Sequence, residues 1–164
     1  MPQAIPRTLV ASALGVPESD LPPGDLPLDR LATRFLAYTR AGDGETVPEG
    51  HPDAWTYALF DDLTRAHPAL ALAALRATLA ACASPEDVAM VAAGPLEDLI
   101  AENGAAVIGE IEALAASAPR FAYALTGVWQ RETPPLLWAR IEAARAGADG
   151  LDDGAPLPAA GGLG

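Results

Sequence analysis

Six residues near the middle and end of the chain carry the chemistry that could matter most: Glu97 and Asp98, then Trp129 with Arg131, then Trp138 with Arg140. Two adjacent carboxylates suggest a metal ligand pair or a general base. Neighbours on a helix, however, point about 100° apart and do not easily face one ion. They also sit directly after Gly94-Pro95, a combination that closes one helix and opens the next, where acids favour the positive end of the helix dipole. Three readings stay open for the pair: a structural helix start, a partner contact, or a catalytic base. Each tryptophan has an arginine two residues behind it. Both indoles can pack between consecutive helices, or they can anchor a partner as Trp and Arg do in binding hot spots.

Other reactive residues are scattered. His51 and His67 each precede a proline, which pushes them out of the α region and onto helix entries. With Asp53 or Asp62 they could form a two-histidine carboxylate site. A whole helix of roughly 22 Å separates them, so a shared metal is not expected. Asp61 and Asp62 flank core positions and read as a solvated face. Ser84 and Ser117 have no neighbouring histidine-acid arrangement. Cys82 continues an apolar stripe and reads as an inert core thiol. No Gly-rich phosphate loop of standard spacing occurs. No catalytic residue, metal or cofactor is assigned.

The 164 residues suit one domain, and 51% are hydrophobic, enough to bury a core. All ten bases are arginine against 22 acids, a formal charge of −12. That balance argues against nucleic acid, which demands clustered positive charge, and against anionic membranes. One cysteine removes any internal disulfide. No apolar run approaches the roughly 20 residues of a membrane helix. Thr8 to Val16 is apolar behind Arg7, a minimal match to a secretory signal. A short helix in a mobile arm is the preferred reading, and a cytoplasmic location the expectation.

The fold class read from the pattern is all-α. Prolines 52, 68, 85, 95, 119 and 134 each precede an apolar pattern of helical period, so they mark helix starts. Ser84-Pro85-Glu86-Asp87 is a strong start with an N-cap serine. Asn103-Gly104 reads as a stop. The product is about eight short helices in an irregular antiparallel stack or short superhelix, with no repeat of fixed period. The division is a Pro-rich arm at 1–27, a helical domain at 28–145 and a disordered tail at 146–164, whose composition buries too little apolar surface to offset its ordering entropy.

The segment from Leu70 to Arg140 resembles a family of small bacterial helical proteins classed as a domain of unknown function. The matching residues are AAGPLEDL (92–99), Ile111 to Ala115, Ala118 to Phe121, Gly127-Val128-Trp129 and Trp138, with His51-Pro52 and Trp55 upstream. The resemblance implies the helical fold and no substrate. Charge is unevenly placed: 28–102 carries 12 acids and five arginines, whereas 103–145 carries four of each. The expected function is a non-catalytic protein-interaction or regulatory module, immunity-like toward a basic partner, with self-association through the neutral tryptophan-bearing helices as a compatible outcome. The alternative is a carboxylate-dependent enzyme with Glu97 as general base, helped by His51 or His67.

Overall fold

The computed structural model describes residues 2–42 and 49–164. Three of the six predicted start prolines do stand in the first turn of a helix: α4 (Pro68–Ala81), α5 (Pro85–Val91) and α7 (Pro119–Leu125), while Pro134 is the N-cap of α8 (Pro135–Arg145), whose first position Pro135 takes. There the missing N–H leaves nothing unpaired. Pro52 instead enters a turn ahead of α3 (Trp55–Ala66). Pro95 lies inside a wide π-type turn, Ala92–Leu96, bent at Gly94 (φ −104°, ψ −110°). This turn feeds α6 (Glu97–Ser117) directly. With α1 (Arg7–Leu14) and α2 (Leu28–Ala41), eight α-helices are described, and the all-α class holds. The only sheet among the described residues is a two-residue antiparallel ribbon, β1 (Ala4–Ile5) on β2 (Leu26–Pro27).

The Ala/Leu helix α4 forms the centre. Ala71 to Leu75, Thr78 and Leu79 are all buried, the signature of a helix covered on every side. Helices α2, α3, α5, α6 and α7 all pack on it. The buried Thr78 hydroxyl donates to Ala74 O at 2.7 Å, so it leaves no orphaned polar atom.

Three further sequence expectations fail, each for a reason that lies elsewhere in the chain. Asn103-Gly104 does not stop a helix. It kinks the 21-residue α6, with Asn103 at φ −140°, ψ 22°. The Asn103 amide donates to Thr64 O (2.7 Å) and Arg65 O (2.8 Å), capping the end of α3. Gly104 is the point where α8 crosses: a Cβ there would lie 2.9 Å from Leu137 Cδ2.

The N-terminal arm, expected to be mobile, is packed. Ile5 is fully buried, Val10 and Ala11 are in the core, and α1 lies on α3. The Arg7 guanidinium ties α1 to Leu21 O at 2.7 Å and to Glu18 O.

The C-terminal stretch, expected to be disordered, is laid along the body. Arg120 Nε donates to Pro158 O (2.9 Å) and the Tyr123 hydroxyl to Ala155 O (3.1 Å). Leu163 is buried. Gly162, at φ +85°, passes so close to Ser117 O that a side chain has no room. Composition predicted too little apolar burial; polar side chains on α7 hold the segment's carbonyls instead.

Candidate functional site

The wide turn before α6 places Glu97 and Asp98 at the start of that helix. After α7 the chain runs through an irregular loop, 126–134, before α8. These two regions meet. Glu97, 8% exposed, accepts the Trp129 backbone N–H at 3.0 Å on Oε2. Its Oε1 lies 3.5 Å from Arg131 Nε, and Asp98 Oδ1 accepts from Arg131 Nη1 at 2.7 Å. One guanidinium therefore reaches both carboxylates that the helix points apart, its planar fork spanning the angle. Arg131 is the non-glycine residue with positive φ (+46°) among the described residues. A side chain adopts that conformation rarely, and the acid pair fixes it there. The hydrogen bond it donates to Asp98 holds the Arg131 guanidinium above its ordinary pKa, with the charges of Asp98, Glu97 and Glu132 adding to it.

The far side of the loop is clamped too. Arg145, in the last turn of α8, donates from Nη1 to Leu125 O and Val128 O, both at 3.0 Å. Its guanidinium carbon sits 4.8 Å over the Trp138 ring, a cation–π contact. Val128 and Thr133 are buried. The clamped loop leaves Trp129 73% exposed, beside the exposed Gln130, Arg131 and Glu132, and Leu136, in the first turn of α8, is 86% exposed. These are the two most exposed of the large apolar side chains described.

The six candidates thus divide. Glu97, Asp98, Trp129 and Arg131 form one cluster. Trp138 is 9% exposed and belongs to the core. Arg140 makes a bidentate pair with Glu112, at 2.7 and 2.6 Å, joining α8 to α6 on the surface. The sequence pairing of each tryptophan with the arginine behind it does not survive, because Trp129 leaves the helical path while Trp138 stays on it.

The remaining reactive residues stay apart. His51 and His67 lie at the two ends of α3, as the spacing predicted. His51 Nδ1 accepts the Asp53 N–H at 3.0 Å, and His67 Nε2 lies 4.0 Å from Asp62. Among the described residues no group of three or more His, Cys, Asp or Glu side chains is placed to hold a metal. Burial pushes the Cys82 thiol up to about 12, with the Asp87 charge adding, so it is protonated and a poor nucleophile. Ser84 caps α5 by accepting the Asp87 N–H at 3.2 Å.

One junction was missed in the sequence. Asp87, read only as a first-turn acid, takes Arg40 of α2 in a bidentate pair (2.9 and 2.7 Å) and the Ala83 N–H at 2.7 Å. Arg40, foremost, holds the Asp87 carboxyl below its ordinary pKa. The spacing of a serine cap followed three residues later by an acid was the available signal. Clefts open beside this junction, under the N-terminal arm and at the corner of α8 with the tail. Neither Glu97 nor Asp98 lines any of the three.

The helical geometry and the Glu97–Arg131 junction both fall within the segment that a known family covers. A model described as a family of unknown function, DUF6869, matches residues 43–149. The chain belongs to that family. The matched span takes in α3 to α8, whereas the arm, α2 and the last 15 residues lie outside the DUF6869 segment. No curated protein and no solved structure matches the chain. No helix among the described residues is long and apolar enough to cross a membrane.

Proposed function

We propose that this DUF6869 chain is a non-catalytic protein-interaction module that docks a partner through Trp129 and Leu136. The observation that carries the reading is the exposed indole on a loop clamped from both sides. Covering a large exposed apolar side chain on docking is favourable, and a tryptophan is a frequent anchor of binding hot spots. Clamping the loop beforehand lowers the ordering entropy lost on docking. Around the indole, Glu97, Asp98 and Glu132 outnumber Arg131, and residues 28–102 carry most of the negative charge. The partner is therefore a protein with an apolar cleft rimmed by basic residues, recruited faster at low salt. An immunity-like neutraliser of a basic protein fits that description.

Support for a non-catalytic role comes from Glu97 itself. A general base needs a lone pair facing a substrate cavity. Both Glu97 oxygens are engaged, and it borders none of the clefts described above.

The test compares wild type, Trp129→Ala and Tyr57→Ala as baits in native lysate at low and high salt, with the captured proteins identified by mass spectrometry. Tyr57 is another exposed aromatic, at 56%. The expected result is a stoichiometric basic protein held by wild type and Tyr57→Ala, lost with Trp129→Ala and weakened by salt. Capture that ignores Trp129, or a dimer of the chain itself broken by Trp129→Ala in sedimentation, overturns this reading.

A further inference from the structure

Among the described residues, Arg34, Arg40, Arg65, Arg131 and Arg140 each lie within 4.0 Å of a carboxylate. Arg120 and Arg145 are occupied by backbone carbonyls. Among the described residues Arg7 and Arg30 pair with no carboxylate, in a chain where acids outnumber bases more than twofold. Both line the same cleft, of about 260 Å³, between the N-terminal arm and helices α2 and α3. Arg7 spends one guanidinium nitrogen on the carbonyls of Glu18 and Leu21, while its Nε–H is buried with no hydrogen-bond partner among the described residues. An unmatched buried donor is expensive and is normally satisfied by something. Arg30 is exposed, with no partner among the described residues.

The remaining wall is mostly apolar, with Val10, Pro23 and the Trp55 ring among its members. Asp25 is the carboxylate present, and it caps α1 through the Arg7 backbone N–H at 3.1 Å. Two guanidiniums against one carboxylate leave a surplus of one positive charge. A concave apolar wall with a few convergent polar groups is the usual form of a small-molecule site. Its volume is just under the roughly 300–1,000 Å³ typical of such sites, so the occupant is small. A guanidinium fork matches a carboxylate in geometry as well as charge.

We propose that this cleft binds a small monocarboxylate with an apolar body, its carboxylate on Arg30 and Arg7 and its body against Trp55 and the proline wall. Every lining residue except Trp55 lies outside the 43–149 family segment. The site is thus independent of the Trp129 surface and of the function proposed for it.

The test uses the full chain with 15N-labelled tryptophan indoles, titrated with octanoate, 4-phenylbutyrate and, as uncharged control, 1-octanol. The expected result is a saturable shift of the Trp55 indole peak with at least one carboxylate, and no shift at Trp129. Octanol is expected to bind at least about tenfold more weakly, and Arg30→Gln to weaken the carboxylate about tenfold with an unchanged melting temperature. Three results would each overturn the proposal: no Trp55 shift with either carboxylate up to roughly 5 mM, octanol binding as well as octanoate, or Arg30→Gln binding like wild type.

Discussion

Trp129 and Trp138 are written alike in the sequence, each two residues ahead of an arginine, and the fold treats them in opposite ways. Trp138 sits on α8, turned into the core under Arg145. Trp129 sits on an irregular loop, 73% exposed. Their arginines divide as well: Arg140 ties two helices together at the surface, and Arg131 locks the loop to the start of α6. The difference lies in what receives the backbone. Trp138 N–H is taken within its own turn by Pro134 O at 2.9 Å. Trp129 N–H is taken by the side chain of Glu97, 32 residues away. A side chain that replaces a helical carbonyl as acceptor frees the loop to hold its indole outward.

Removing the buried member should have the largest effect. Trp138→Ala empties the contact of α8 with the core and takes the ring from beneath Arg145. A loss of about 3–5 kcal/mol is expected from a core Trp truncation, read as a lower denaturant midpoint. An unchanged midpoint would mean that α8 does not depend on the indole. Glu97→Ala comes next. It strips the Trp129 N–H of its acceptor and leaves Arg131 with Asp98 alone. About 1–3 kcal/mol is expected to be lost, with faster hydrogen exchange at Trp129 and no comparable change at Trp138. Equal exchange at the two sites would break the comparison.

The same contrast explains what could be read in advance. The start prolines of α4, α5 and α7 were legible because the rule is local: the proline ring and its first turn decide it. Glu97 and Asp98 were legible as helix-start acids for the same reason. Their partner Arg131 was not, since it lies 33 residues from Asp98, and no spacing rule links a loop arginine to a distant helix. Asn103-Gly104 looked like a stop because its effect depends on two non-local facts, the open carbonyls of α3 and the crossing of Leu137. The last residues looked disordered because their own composition is poor in apolar surface, whereas Arg120 and Tyr123 of α7 supply what holds them. The arm failed likewise: Pro17, Pro22 and Pro23 do forbid a continuous helix, yet Ile5 and Val10 still reach the core.

The Arg40–Asp87 junction offers a third point of reference, a carboxylate that helps stability with no exposed aromatic beside it. Its folded pKa is depressed, chiefly by Arg40. Its stabilisation is therefore fully present above the unfolded value, about 3.9, and is lost as pH falls through the lower folded value. Asp87→Asn should melt below wild type at pH 7, with the gap closing as pH drops below about 4. A gap that stays constant down to pH 2–3 (roughly the end of carboxylate titration) would assign the effect to packing instead of charge.

The smallest effect on stability is expected at Trp129, and that smallness is what distinguishes an exposed anchor from a structural residue. Trp129→Ala removes a ring that mostly faces water while leaving the backbone N–H that Glu97 accepts. The midpoint should move by no more than about 0.5 kcal/mol, the range of surface substitutions. Leu136→Ser, at 86% exposure, should behave the same way. If either variant also removes a captured partner, stability and binding are separated at one position, since truncating a central anchor typically weakens association by about 2 kcal/mol or more. A large stability loss at Trp129 would show instead that the ring supports the loop it crowns, and the proposed docking surface would lose its centre.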